Sequence, residues 1–417
     1  MRKSAGCAFG TNKIYDFDIS RADDAYLFGN NVDNEKNDKV LDFSCGIGGN
    51  VLGYNNRIVD NAIVSQINRG FLGVSNSIKN IYTEELANKL CNIAGFIKQN
   101  KGGQEDIDGK VIFCNSASDA NECAIKIARI RYNTLCDRRY SEIICFQNAF
   151  HGNTITTIST TKKNKNTIGF APLLSGFKVA KYNDIASVKN LITEHTSAVM
   201  IEPIQCQYGI KVCEIDFLQQ LKKVCLENEI VLIVDETKCG CGRSGDYFAF
   251  EKSGIIPDLI TFSSSVANGF PICGCIVKND VMEFMPSNCE FDLFCENALG
   301  AKIASAVIEE VYNEDFLLNV KLQGEYFEKL LKHLKRKYNL VIQKICCGGL
   351  MASLKLYDEI SNEGFARILF ANGLLSCVGD NNNVLFFPPL NIVKQQINEA
   401  IMAIETSVQQ VQLLERY

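Results

Sequence analysis

The chain has no long run of Lys or Arg, no apolar run that reaches the roughly 20 residues of a membrane span, and only three histidines. Each shortage excludes something. With a formal net charge of -5 and no basic cluster, there is no electrostatic footprint for nucleic acid or for an anionic membrane surface, and chemistry on small molecules is expected instead. His151, His195 and His333 lie far apart in the chain, and the pairs Cys239/Cys241, Cys273/Cys275 and Cys346/Cys347 lack the C-x-x-C spacing of zinc or redox centres. No metal site is therefore expected. The opening MRKSAGCAFGTNKIYDFD has two basic residues but no apolar core of a secretory signal, so the protein is expected to be cytoplasmic. In that compartment the 19 cysteines, scattered through apolar segments, are expected to serve as small buried hydrophobes rather than disulfides.

What is present is a large supply of apolar residues: 47% of 417, enough for two or three packing units. Short runs that are apolar throughout, VIFCN (111–115), IICFQ (143–147), AVMIEPI (198–204), IVLIVDE (230–236), LITFS (259–263) and ICGCIV (272–277), predict strands covered by helices on both faces. Helical patterns lie between several of them. In DANECAIKIARIRYNTL, Cys123, Ile127 and Ile130 share one face while Lys126, Arg129 and Arg131 point elsewhere. The alternation predicts an α/β doubly wound sheet. From about residue 313 the pattern changes to a long charged helix, short strands near 340–356 and 384–387, and a closing helix. That part predicts a smaller α+β domain, with the first 50 or so residues packed against it. The GIGG of VLDFSCGIGGN is a weak phosphate-loop signal, because paired glycines are common in turns.

Ligands of open α/β sheets bind beyond the carboxyl ends of the strands, and the strand ends here carry polar groups. SASDAN follows the first strand, and a helix start of that kind has free N–H groups for phosphate or a plain Ser/Asp cap. NAFHGNT follows the second and offers Phe150 and His151; Glu202 and Gln205 follow the third; Asp235 ends the fourth; Ser263, Ser264 and Ser265 follow the fifth. A serine hydrolase built on Ser264 would need His151 as base, for which the sequence shows no orienting acid.

The stretches LDFSCGIGGNVLGYNN, NSASDANECAIKIAR, FHGNT, GFAPLLSGF, MIEPIQ, LIVDETKCGCGRSGDYFAFEKSGIIPDLITF, NGFPICG and FFPPLNI resemble, in order and over nearly the whole chain, the class III pyridoxal-phosphate aminotransferases. Within them the acetylornithine/ornithine aminotransferase branch is the most similar. The resemblance implies fold type I, a large doubly wound, mostly parallel sheet domain plus a small α+β domain. It also implies pyridoxal 5'-phosphate as cofactor and a homodimer. The expected division is an N-terminal segment, 1–55, that joins the small domain, a large cofactor-type domain, 56–312, and a C-terminal small domain, 313–417. Carried over by position, Asp235 would pair with the pyridine nitrogen and keep it protonated, Phe150 would stack on the ring, and the backbone N–H groups of Ala117 and Ser118 would take the phosphate. Glu202 would sit at the substrate mouth, and Arg243 lies in a turn where a structural role and a ligand contact are both open.

Several positions depart from that pattern. TFSSSVANGFP stands where the family has a stretch like TLAKGLGGGFP, so the Schiff-base lysine falls on Ser264. A hydroxyl cannot replace that amine as covalent anchor, and loss of a positioned acid/base group removes about 10²–10⁴ in rate. The threonine that the family donates across the dimer interface to the phosphate is Leu293, followed by Cys295 and Glu296; the glutamine at the cofactor's phenolic oxygen is Lys238; the arginines that would grip substrate carboxylates are Asn153 and Leu385; a glycine and a glutamate are Ala117 and Gln207. The resemblance thus implies a retained scaffold with ordinary transamination lost or strongly impaired. The other expectation is an aminotransferase of acetylornithine type that works through a substitute amine, Lys238.

Overall fold

A computed structural model describes residues 14–15, 17–31, 37–74, 78–99, 105–136, 140–161, 167, 169–286 and 297–414. At its centre is a seven-stranded sheet in the spatial order Gly109–Cys114, Cys273–Lys278, Leu259–Phe262, Val231–Asp235, Thr196–Ile201, Glu142–Phe146 and Phe177–Ala180. The last five of these run parallel to one another, and Cys273–Lys278 lies antiparallel to both of its neighbours. All six apolar runs singled out in the sequence form strands of this sheet. Their continuous apolarity has a direct cause. Ile144, Val199, Leu232, Val234 and Ile260 point into one core, while Ile143, Ala198, Val231, Ile233 and Leu259 point into a second on the opposite face. Side chains of a strand alternate between faces, so only a strand buried on both sides is apolar at every position. Burying each such Ile, Leu or Val contributes about 1.5–3 kcal/mol.

The helix Ala117–Cys136 covers one face of the sheet. Cys123 and Ile127 are buried, as the spacing predicts, whereas Ile130 is half-buried and Arg129 is not free of the core: its guanidinium lies over the Phe177 ring, 5.1 Å from the centroid. The aliphatic stem of an arginine can lie on apolar surface while its head reaches water, which widens the packed face beyond the apolar stripe.

Among the described residues two four-stranded sheets and two two-stranded ones accompany the central one. The strands Phe17–Asp23, Tyr26–Asn31 and Asn37–Asp42 form an antiparallel meander, and the last of them pairs in parallel with Leu374–Leu375 from the far end of the sequence. Ile342–Cys347, Ala352–Leu356, Asn383–Phe386 and Cys377–Val378 form a four-stranded antiparallel sheet. The helices Glu314–Lys337 and Lys394–Leu414 pack on this region. Most described cysteines are buried free thiols. Among the described residues no helix is long and apolar enough to cross a membrane, and no group of three or more His, Cys, Asp or Glu is placed to hold a metal ion.

Candidate active site

Parallel neighbours end at the same edge of the sheet, so the polar strand-end residues meet there. Asp235 closes Val231–Asp235 in register with Thr261 of the adjacent strand. It is 1% exposed and heavily hydrogen-bonded. Its Oδ1 accepts from the Thr237 N–H at 3.0 Å and the Thr237 hydroxyl at 2.6 Å, with the Thr261 hydroxyl at 3.3 Å. Its Oδ2 accepts from the Asn121 amide at 2.8 Å and meets His151 Nδ1 at 2.6 Å. Burial works against the charge on Asp235, yet the hydrogen bond and charge of His151 outweigh it and hold the carboxyl below its ordinary range. Burial likewise opposes the imidazolium, and the same Asp235 contact reverses that, so His151 titrates above its ordinary value.

The acid that orients His151, not visible in the sequence, is therefore Asp235, 84 residues further along the chain and beyond the reach of any local motif. A serine triad still does not form. His151 Nε2 is buried with no partner among the described residues, and no hydroxyl reaches it. Of the three serines, Ser263 donates to the Thr237 carbonyl at 2.7 Å and lies 3.2 Å from the Ser265 hydroxyl. Ser264 opens a short 3-10 turn, Ser264–Ala267, at the carboxyl end of Leu259–Phe262, with its carbonyl accepting from Gly269 N–H at 2.9 Å. Its side chain is half-buried and makes no hydrogen bond among the described residues.

Phe150 and Glu202 are brought together from two neighbouring strand ends. The Phe150 N–H donates to Glu202 Oε2 at 3.1 Å. Burial pushes the Glu202 carboxyl up to about 8, against the opposing pull of His151 and Lys238. Gly152 then carries the chain across the start of the helix Ala117–Cys136. Its φ of +136° and the 2.5 Å that an added Cβ would have to Ser118 Oγ leave room for glycine alone. One residue on, the Asn153 N–H donates to Ser118 Oγ at 3.1 Å. Phe150, His151, Asn153, Gln207 and Tyr208 line the same cleft. Ala117 and Ser118 are half-buried in the first turn of the helix, and neither N–H has an acceptor among the described residues. Ser116 caps that turn by accepting from the Asp119 N–H at 3.2 Å.

Lys238 is half-buried in the turn that follows Asp235, close enough that its charge offsets part of the rise that burial gives Glu202, Cys206 and Cys377. Its amine has no hydrogen bond or ion pair among the described residues. Leu385 is buried in an apolar, sulfur-rich cluster with Cys206, Cys239 and Met351, and Gln207 is tied to Asp380, amide to carboxylate, at 2.9 Å. Leu293, Cys295 and Glu296 lie outside the described residues. Arg243 is settled in favour of structure. It is 1% exposed, and its guanidinium donates to the carbonyls of Leu350 at 3.2 Å, Pro388 at 2.8 Å and Gly48 at 3.0 Å. The GIGG turn accordingly docks on Arg243 through Gly48.

Asn121, Thr237 and Thr261 were not singled out from the sequence. Their roles arise from contacts with Asp235 that span up to 114 residues, and only the strand registration brings them together.

The overall fold is shared with known structures. An ornithine aminotransferase from Toxoplasma gondii superposes with a TM-score of 0.88 at 22% identity, over 98% of this chain and 94% of that one. An acetylornithine aminotransferase from Elizabethkingia anophelis superposes with a TM-score of 0.79 at 22% identity, over 98% and 97%. These likenesses establish a fold type I scaffold. The sequence comparisons go further. The family described as Aminotransferase class-III matches residues 10–408. The chain is 36% identical over 381 residues to a mitochondrial acetylornithine aminotransferase of Debaryomyces hansenii, covering 90% of this chain and 80% of that protein. It is also 36% identical over 371 residues to an acetylornithine aminotransferase of Methanocaldococcus jannaschii, covering 88% of each. The chain belongs to the class III aminotransferase family, in its acetylornithine/ornithine aminotransferase-like part, and pyridoxal 5'-phosphate is the cofactor of that family.

The described residues fit part of that group. Phe150 and the Gly152 turn line the cleft, the helix start with its two N–H groups lies against that turn, and the buried Asp235 carboxylate lies behind it on His151, whereas the side chain at the end of Leu259–Phe262 is a hydroxyl.

Proposed function

We propose that this protein keeps the noncovalent half of a pyridoxal-phosphate site and has lost, or retains only weakly, the transamination typical of its family. The supporting observation is Ser264, a half-buried hydroxyl at the strand end next to Asp235, where the family resemblance calls for an amine. Phe150 would hold the ring face, the Ala117 and Ser118 N–H groups the phosphate, and Asp235 would supply negative charge at the ring nitrogen. When bound, the cofactor supplies an aldehyde that captures amines and a ring that takes up electrons. The missing carboxylate grips belong to the same reading, since Asn153 and Leu385 offer no cation. So does the division of the chain at 1–55, 56–312 and 313–417, supported by the pairing of Asn37–Asp42 with Leu374–Leu375. A cytoplasmic homodimer completes it.

One observation favours a second reading, an active enzyme that uses Lys238. A half-buried amine without a partner has a lowered barrier to acting as a nucleophile, because no ion pair must first be broken. Reductive trapping separates the two. The purified protein is mixed with pyridoxal phosphate, treated with borohydride and digested. The first reading expects reversible binding with no adduct, and an adduct on the engineered side chain once Ser264→Lys is introduced. A stoichiometric adduct on Lys238 in the parent, with turnover of an amino donor, supports the second reading and sinks the first.

A further inference from the structure

Position 385, where the resemblance implies an arginine to grip a carboxylate, is apolar in this chain, yet a cation stands close by. Leu385 packs with Cys206, Cys239 and Met351 and lies opposite Cys377 on the neighbouring strand. Gly379 joins it to the cleft wall: a Cβ there would lie 3.0 Å from Leu385 Cγ and 3.2 Å from the carbonyl of Gln207, a residue that lines the cleft with Phe150 and Asn153. Lys238 immediately precedes Cys239 of the same cluster. Its charge is felt at Cys206, at Cys377 and at Glu202, so the ammonium lies at the Leu385 end of the cleft.

Among the described residues that ammonium has no counter-ion. Lys238 is half-buried, and its amine makes no hydrogen bond or ion pair among them. Glu202, raised to about 8 by burial, keeps its proton at neutral pH, and Cys206 and Cys377, each pushed up to about 12 by burial, remain thiols. Asp235 is committed to His151 at 2.6 Å. Asp42 also acts on Cys377, but its Oδ1 accepts from the N–H groups of Ser44 and Cys45 and from the Ser44 hydroxyl, and its Oδ2 from the Tyr54 hydroxyl. A half-buried cation with neutral neighbours on an apolar wall keeps only part of its hydration, and an arriving carboxylate replaces the missing part with a charge-assisted hydrogen bond.

We propose that Lys238 stands in for the arginine implied at position 385 and binds the carboxylate of the ligand, so that the cleft selects a small aliphatic monocarboxylate, a one-carboxyl amino acid included. The inference rests on the cofactor-cleft reading above and deepens it by naming the class of molecule that the site admits. A second carboxylate finds no second cation, because Asn153 is neutral and Leu385 apolar. An ammonium has three N–H donors, so a contact with the phenolic oxygen of the ring, which the resemblance implies for position 238, leaves protons for the ligand.

The test uses the full chain, first stripped of pyridoxal phosphate and then mixed with it, together with Lys238→Met and Lys238→Gln, which remove the charge, and Lys238→Arg, which retains it. Pentanoate labelled with ¹³C at the carboxyl is titrated at neutral pH and followed by its carboxyl resonance. Pentylamine, which lacks the carboxylate, and glutarate, which carries two, are the matched probes. The expected result is binding of pentanoate to the parent and to Lys238→Arg, with affinity lower on the order of ten- to a hundredfold in Lys238→Met and Lys238→Gln, the worth of one hydrogen bond between charged groups. Pentylamine shows no such loss in the neutral variants, and glutarate binds the parent no more tightly than pentanoate. Equal pentanoate affinity in the parent and both neutral variants, no pentanoate binding by the parent, tighter binding of glutarate, or a borohydride-trapped adduct on Lys238 overturns the proposal. If no protein takes up pyridoxal phosphate while pentanoate binding still follows the charge at position 238, the cofactor-cleft reading fails and the role of Lys238 stands.

Discussion

Glu202 shows how a single side chain sets a pH dependence for the molecule. Its carboxyl is 4% exposed and accepts one backbone N–H, from Phe150. Its ordinary value of 4.5 is raised to about 8, chiefly by burial. Below pH 4.5 the group is protonated in both folded and unfolded chains and has no effect on the balance. Between 4.5 and 8 the unfolded chain releases the proton that the folded chain keeps, so stability falls as pH rises through that window. Glu236, likewise buried and raised to about 7, acts in the same direction. Glu202→Gln removes the more strongly raised of the two carboxyls. The loss of Tm between pH 5 and pH 8, followed by calorimetry, should then be smaller than in the parent by about 2–4 °C, and equal slopes would show that Glu202 ionises freely in the folded state. At this scale the sequence was partly legible. Asp235 and Glu202 could be named from their places after apolar runs, because a polar residue ending a buried strand must find a partner, and Phe150 from its place in the FHGNT motif. Asn121, Thr237 and Thr261 could not, because nothing local distinguishes them from caps and strand fillers.

At the scale of elements, Arg243 adds side-chain bonds to three segments that also meet through backbone hydrogen bonds such as Phe387 N–H to Phe43 and Leu390 N–H to Val51: the Gly48 turn, the Leu350 loop and the Pro388 turn. It does so with backbone carbonyls and no carboxylate, and burial lowers its titration from the ordinary arginine value. Its removal leaves three buried carbonyls without donors. Arg243→Ala is expected to lose about 3–5 kcal/mol in urea unfolding, and Arg243→Lys about 2 kcal/mol or more, because one ammonium cannot reproduce the planar fork. A loss below about 1 kcal/mol in both variants would show that the three segments are held by their backbone hydrogen bonds and apolar contacts alone. The strands themselves were readable, since burial on two faces leaves a continuous apolar signature. The turn chemistry of GRSG was not, because a buried arginine serving carbonyls and one serving a ligand look the same in sequence.

For the whole molecule, the helix Arg57–Ile67, the following loop and the start of Ile81–Ile93 expose Val64, Ile67, Phe71, Leu72, Ile78 and Ile81. Clustered apolar exposure of this kind marks an interface, and the proposed homodimer would cover it. Sedimentation velocity is expected to give twice the 46.4 kDa of the chain, and the double variant Leu72→Asp, Ile81→Asp a species near the monomer mass. A monomeric parent would remove the dimer from the proposal.

The sequence by itself determined the scaffold and the family. Six apolar strands, the helices between them and a collinear set of motifs are local features repeated along the chain, and each points to the same doubly wound sheet. It also carries the expectation that Ser264 stands where the family resemblance implies a lysine, since that position is counted within one motif. Only the tertiary structure decided which groups share a hydrogen bond. Asp235 and His151, Asn121 and Thr261, and Arg243 with Gly48 and Pro388 are distant in sequence, and their contacts depend on strand register and on two ends of the chain meeting. Hydrogen bonds act within about 3 Å and only at suitable angles, so their partners follow from the folded geometry and not from spacing along the chain.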